Sequence, residues 1–277
     1  MAAASAVSMD IATIMNYLDP ASPKPVNYMY QPPEGVALRT GAYGKYPITV
    51  HDGRPQAATL SLDIEGVALR TLETRCDDLW DDAQVRAVYL PEVERFVMKT
   101  TTAVRVHAFD YNVRCRPRAK ARENTAREPV KFAHNDYTVK SGPQRVRDLM
   151  GADADALLKN RFALINVWKP IRGPVMETPL GVCDGRSIDF ADFRTQDLIY
   201  RDRVGEVYAL AYNPNHRWYY FSRMNANEAM LLKCYDSDAH RTRFTAHGAF
   251  DDPGSPADAP PRESIEVRTL VFFAPEN

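Results

Sequence analysis

The apolar positions along the chain fall into three kinds of pattern. Val85, Tyr89, Val93, Phe96 and Val97 recur at three- and four-residue spacing with charges opposite, which predicts a helix over 81–100. Pro91 within it predicts a kink or a division, because proline lacks the N–H that the helix ladder needs. A second helical stretch, 143–160, reads as two pieces broken around Gly151. Strands are predicted where β-branched and aromatic residues alternate or run together: one or two over 58–74, then 103–111, 131–139, 162–168, 207–212, 217–221, 231–235 and 264–273. The turn Asn213-Pro214-Asn215 joins two of these as a hairpin, and Asn225 with Glu228 forms a capping-box-like pair.

Residues 1–57 are rich in proline and glycine and read as an irregular arm with short strands, packed on a main body of residues 58–277. Helices gathered early and many spaced strands afterwards give a mainly β fold with flanking helices in a single domain.

Composition narrows the class without naming a function. With 35 basic and 36 acidic residues the net charge is −1, which offers no attraction for nucleic acid or an anionic membrane. The basic run Arg114–Arg122 reads as a solvated loop. The four cysteines, at 76, 115, 183 and 234, form no C-x-x-C pair, against a zinc ribbon or a secreted disulfide framework. Met1-Ala2-Ala3-Ala4-Ser5 lacks a basic n-region, and no stretch is apolar for the roughly 18–20 residues of a membrane span. The expectation is a cytoplasmic protein, monomeric or homodimeric, acting on a small molecule.

Chemistry concentrates in three places. His134-Asn135-Asp136 is an H-x-D string in an extended segment, where residues two apart share a face and can bind one metal. A surface turn with a capping aspartate would give the same string. Two histidines and a carboxylate on one octahedral face leave positions open for an oxo acid and dioxygen, which suits Fe(II). The second histidine comes from His216, His240 or His247. His216 reads as exposed in the hairpin turn and His240 lies in a charged loop; His247, in the semi-apolar Phe244–Phe250, is the ligand with packing to fix its rotamer. Last, Arg262 with Ser264 two residues on can clamp a carboxylate through guanidinium and hydroxyl.

These strings, taken together, resemble a known family. Ala133-His134-Asn135-Asp136-Tyr137-Thr138, Ile165-Asn166-Val167-Trp168-Lys169-Pro170, His216-Arg217-Trp218-Tyr219-Tyr220-Phe221 and Pro261-Arg262-Glu263-Ser264-Ile265-Glu266-Val267-Arg268 are similar to segments of the fungal and bacterial hydroxylase/desaturases. That family includes a fungal gibberellin desaturase and an oxygenase component of cephamycin 7-methoxylation. The helix string Val85–Glu94 and Pro179–Ser187 fit as well, so the resemblance spans about 60–273.

The resemblance implies a double-stranded β-helix (jelly-roll) oxygenase that uses Fe(II), 2-oxoglutarate and dioxygen, with His134, Asp136 and His247 on the metal and Arg262 and Ser264 on 2-oxoglutarate. The long gap between His247 and Arg262 leaves Arg268 as an alternative anchor. Asn166 and Trp168 alternate with core positions and are candidates for the substrate cavity, as are Tyr137, Arg105, Tyr111 and Arg186. The implied reaction hydroxylates, desaturates or oxidatively cyclises a natural-product or modified amino-acid substrate. A zinc hydrolase on the same triad, or a non-catalytic jelly-roll binding protein, is the alternative.

Overall fold

Phe162–Pro170 is buried at every position, which requires cover on both faces, and the architecture supplies it. The computed structural model describes residues 9–123 and 126–275; Met1–Ser5 and positions 124 and 125 lie outside them. Fourteen strands are found among the described residues: β1 Ile11–Leu18, β2 Val26–Tyr28, β3 Tyr43–Asp52, β4 Val67–Thr71, β5 Arg105–Arg114, β6 His134–Asn135, β7 Phe162–Pro170, β8 Leu180–Cys183, β9 Phe193–Ile199, β10 Val204–Leu210, β11 Trp218–Tyr220, β12 Glu228–Asp236, β13 His247–Ala249 and β14 Ser264–Phe272. The α-helices are α1 Asp82–Gln84, α2 Leu90–Thr101, α3 Arg116–Lys120, α4 Ser141–Met150 and α5 Ala154–Leu157.

The strands form two sheets, a nine-stranded one in the order β1-β3-β11-β8-β13-β6-β10-β9-β2 and a five-stranded one in the order β4-β12-β7-β14-β5. They face each other as a jelly roll. Leu164, Trp168, Leu232 and Leu270 of the smaller sheet meet Met15, Val182 and Trp218 of the larger in one core. The smaller sheet's other face carries Ile165, Val167, Ile265 and Val267, covered by Val85, Tyr89, Val93 and Val97 of the helical layer. Alternation along β7 therefore serves two cores, and the strand reads as a continuous apolar run.

The helical layer follows its sequence closely. Asp81 caps α1 through its carboxylate, which accepts from the Ala83 and Gln84 amides. Pro91 falls in the first turn of α2, and the turn before it, Val85–Tyr89, opens to a π-helix. The missing proline N–H is absorbed there as a widened turn rather than a break. The 143–160 stretch divides at Gly151, whose φ of 52° suits glycine.

Three expectations need correction. The proline-rich beginning is not irregular throughout: β1 and β3 pair over eight residues, Ile11↔Val50 to Leu18↔Tyr43, and β3 joins the larger sheet through β11. Pro20, Pro23, Pro25, Pro32 and Pro33 lie between strands, so they mark connections. Asn213–Asn215 does not close a hairpin, because β11 pairs with β3 and β8 while β10 pairs with β6 and β9. His216 is not exposed: its side chain is 1% accessible, bonded to Asp192 and Tyr17 and stacked on the Tyr17 ring.

Candidate metal centre

β6 and β13 lie side by side in the larger sheet, with His134 directly opposite His247. Their ring centroids are 4.5 Å apart, and His134 Nε2 lies 3.6 Å from Asp136 Oδ1. One ligand atom from each of the three residues falls within 4.8 Å of the others. The imidazoles are oriented by their own backbone. His134 Nδ1 is 2.8 Å from the Phe132 carbonyl and His247 Nδ1 is 3.3 Å from that of Thr245. A carbonyl only accepts, so each Nδ1 carries the proton and each Nε2 presents a lone pair. Burial holds His134 down at about 4, with His247 adding to the effect and Asp136 opposing it. It is therefore a neutral imidazole at neutral pH, able to act as a ligand.

Asp136 is fixed from the opposite side. Its Oδ2 accepts from Asn166 Nδ2 at 2.8 Å and from Arg268 Nε at 3.1 Å, leaving Oδ1 towards the histidines. Burial alone would raise this carboxyl. The Arg268 guanidinium, the two imidazoles and the Asn166 amide outweigh it and hold the group well below the usual carboxylate range. Two nitrogens and one ionised oxygen on one side of a metal form the donor set that suits Fe(II) with open positions.

The inner face of the smaller sheet faces this triad, and its register lines up three rows of polar side chains. Arg114 on β5 stands opposite Ser264 on β14, Asn112 opposite Glu266, and Asp110 opposite Arg268; β7 continues the last two rows with Trp168 and Asn166. Arg262 lies just before Ser264, with Nη1 donating to the Thr178 carbonyl at 2.6 Å and its guanidinium 5.5 Å from the Trp168 ring centre. Four buried polar atoms around this face have no partner among the described residues: Arg262 Nε, Ser264 Oγ, Asn112 Nδ2 and Asn166 Oδ1. Orphaned polar atoms are rare in folded proteins, and a cluster beside a candidate metal centre fits a polar ligand. An acidic oxo acid has the acceptors that Arg262, Ser264 and Asn112 lack.

A cleft of about 600 Å³ opens from Asp136, Tyr137 and Arg268 outward between α4 and the β9–β10 pair, reaching Arg145, Tyr200 and Glu206. Of the other sequence candidates, Trp168 and Tyr137 are buried at the site, and Asn166 is engaged with Asp136. Arg268 is committed to Asp136 and Asp110, which argues against its holding a co-substrate. The structure does not bring Arg105, Tyr111 or Arg186 to the site. Tyr111 has the opposite strand parity, so it sits on the helix-covered face and donates to Asp82. Arg105 is at the far end of β5, paired with Asp153, and Arg186 is tied to Asp184 and Glu65. Sequence reasoning missed Asn112 and Arg114, because the strand was ended at Tyr111. The polar residue at every second position, Asp110, Asn112, Arg114, was the available signal.

Similar proteins are known by sequence and by structure. The family model described as oxidoreductase/YMDC permease-like domain matches residues 15–272. The Fe(II)/2-oxoglutarate-dependent dioxygenase nvfI of Aspergillus novofumigatus is 31% identical, over 92% of this chain and 93% of its own length. The hydroxylase/desaturase efuI of Hormonema carpetanum is 33% identical, over 83% of this chain and 85% of its own length. The solved structure of the iron and alpha-ketoglutarate-dependent endoperoxidase NvfI superposes with a TM-score of 0.87 at 28% identity, covering 96% of this chain and 98% of the other. These relatives support neither a zinc hydrolase nor a non-catalytic jelly roll. The chain belongs to the family of Fe(II)/2-oxoglutarate-dependent oxygenases that includes these hydroxylase/desaturases, and it is an oxidoreductase that uses iron, 2-oxoglutarate and dioxygen to hydroxylate, desaturate or cyclise a small molecule.

Proposed function

We propose that His134, Asp136 and His247 hold the iron, that Arg262 and Ser264 take the distal carboxylate of 2-oxoglutarate, and that a natural-product substrate enters through the cleft beside Asp136. The observation that carries this reading is the pair of orphaned atoms, Arg262 Nε and Ser264 Oγ, buried beside a triad whose Nε2 atoms are already oriented. Arg268 is the weaker choice of anchor, since its guanidinium is already shared between two carboxylates.

Iron, 2-oxoglutarate and dioxygen, when bound together, supply the oxidant for an unactivated C–H bond, and 2-oxoglutarate leaves as succinate and CO2. The protein's own part is positioning. Phe132 and Thr245 fix the two imidazoles through their carbonyls, and Asn166 with Arg268 fixes the carboxylate. Buried Trp168 packs against the Arg262 guanidinium, and buried Tyr137 lines the cleft beside Asp136, so both present apolar ring surface near the proposed reacting atoms. Hydroxylation, desaturation and ring closure differ in where the substrate's hydrogens sit relative to the metal, which the walls of the cleft determine.

The test is an anaerobic titration with Fe(II) and 2-oxoglutarate. A visible charge-transfer absorption is expected that needs both additions, is lost in His247→Ala, and requires far more 2-oxoglutarate in Arg262→Gln. A well-folded wild type that shows no such absorption overturns the reading.

A further inference from the structure

The cleft beside Asp136 has two walls of different chemistry. One is a face of α4 and the residue before it: Lys140, Ser141, Gln144, Arg145 and Asp148 recur along it at helical spacing, while Gly142 and Val146 are buried. The other is the β9–β10 pair, which presents Leu198, Tyr200 and Val204, with Met29 beside them. Val204 and Met29 are exposed, and the Met29 amide donates to the Ile199 carbonyl at 2.8 Å, which ties that residue to the same wall. Exposed apolar side chains gathered at a cleft, with polar residues around them, are the mark of a binding surface.

The carboxylates of the cleft are already committed, and several of its cations are not. Glu206 accepts from the Thr138 hydroxyl, Asp197 is paired with Lys24 at 2.6 Å, and Asp136 is held by Asn166 and Arg268. Asp148 accepts from Gln144 Nε2 at 2.8 Å. On the basic side, no ion pair or hydrogen bond engages the side chains of Arg127 and Lys140 among the described residues. Half-buried Arg145 approaches only the exposed Asp148, at 3.9 Å, a surface contact of little energy. Its Nε is buried with no partner among the described residues, and its guanidinium lies 5.8 Å from the Phe109 ring centre. A buried donor left unpaired on a cleft wall needs an acceptor, and the planar fork of arginine matches a carboxylate.

We propose that the substrate of this chain is an apolar molecule carrying a carboxylate, which Arg145 binds on the α4 wall while Leu198, Tyr200 and Val204 cover the apolar body. Lys140 and Arg127 add positive charge around the same group. The inference rests on the reading of the metal centre and its cleft given above, and it names the class of substrate that the cleft selects. The other two cations of the cleft do not compete for the carboxylate. Arg268 is shared between Asp136 and Asp110, and the Arg203 guanidinium lies over the Tyr200 ring, 4.0 Å from its centre. The carboxylate is a handle for orientation, so the C–H bond presented to the metal lies elsewhere on the scaffold.

The test uses the full chain loaded with Mn(II) in place of iron and saturated with 2-oxoglutarate, so that no turnover occurs and the co-substrate pocket is filled. Two fluorescent probes of nearly the same shape are titrated, 1-naphthaleneacetate and the uncharged 1-naphthaleneacetamide. Wild type is expected to bind the carboxylate roughly tenfold more tightly than the amide, the effect of a charge-assisted pair. Arg145→Gln is expected to lose that preference and to keep its affinity for the amide and for 2-oxoglutarate. Lys140→Gln is expected to weaken the carboxylate by only about two- to threefold, a difference that fades with added salt. Wild type that binds the two probes equally, or neither, overturns the proposal, and so does a preference that survives in Arg145→Gln. A loss of 2-oxoglutarate affinity in Arg145→Gln also overturns it, because the basic wall would then serve the co-substrate. Should Arg145→Gln fail to fold, Arg145→Lys decides: a loss of roughly threefold or more on the carboxylate alone, as an ammonium replaces the forked guanidinium, supports the proposal, and unchanged affinity overturns it. A wild type that loads Mn(II) but takes up no 2-oxoglutarate removes the reading on which the inference rests, and the inference with it.

Discussion

Arg268 donates to Asp136 through Nε at 3.1 Å, on the carboxylate oxygen turned away from the two histidines. On the proposed ligand set, the arginine would act on the metal through Asp136. Arg268→Met is expected to lower metal affinity about 10- to 100-fold, the usual cost of removing a group that orients a ligand. Equilibrium dialysis with Mn(II) measures this. Affinity of the loaded protein for 2-oxoglutarate is expected to stay within a few-fold of wild type; a selective loss of 2-oxoglutarate instead would make Arg268 the anchor.

The three late histidines separate cleanly. His247→Ala is expected to abolish stoichiometric metal binding, and His240→Ala, on an exposed loop, to leave it intact. His216→Ala is expected to keep the metal but to cost about 1–3 kcal/mol of stability, because it strips half-buried Asp192 and buried Tyr17 of a partner. Metal content by mass spectrometry and urea denaturation distinguish the outcomes.

A related cost applies to Tyr17, whose hydroxyl accepts from Trp218 Nε1 at 2.5 Å in the core of the larger sheet. Tyr17→Phe leaves that indole N–H buried and unpaired, and a loss of about 1–3 kcal/mol is expected with metal binding preserved. A variant as stable as wild type in urea would mean that the indole has found another acceptor.

Acid sensitivity is expected from Asp63, remote from the metal. Burial alone would raise its carboxyl, but Lys233, Arg161 and Arg241 outweigh it and bring the group down to about 2. The unfolded chain takes up that proton near 3.8, so the stabilisation is complete above that value. It is lost as pH falls towards about 2. Urea midpoints are expected to fall across this interval, and Asp63→Asn, weaker throughout, is expected to show a shallower fall. Parallel curves would assign the acid sensitivity to other groups.

The grouping of His134, Asp136 and His247 was legible in the sequence because its chemistry is carried by residue type at short spacing: His134 and Asp136 lie two residues apart in an extended segment, and His247 sits among apolar neighbours. The helix over 81–100 and the buried run of β7 were legible for the same local reason. What failed was non-local. Whether β11 pairs with β10 or with β3 depends on strands far away in the chain, and with it whether His216 is exposed or stacked on Tyr17. Proline content hid β1 and β3, since composition averages over connections and strands alike. Arg114 was hidden by its neighbours, because a basic run looks the same whether its first member ends a strand or floats in solvent.

The pairing of β6 with β13 also sets an order of events. His134 and His247 leave the ribosome nearly half a chain apart, and β3 must wait for β11 before it has a neighbour on its inner side. Until His247 has emerged, the proposed centre offers iron one imidazole and one carboxylate, too few to compete with cellular chelators. Metal capture is thereby postponed until the sheet can close, so an unfinished chain is expected to carry no redox-active iron. A fragment ending at Phe244 that retained stoichiometric metal would contradict this order.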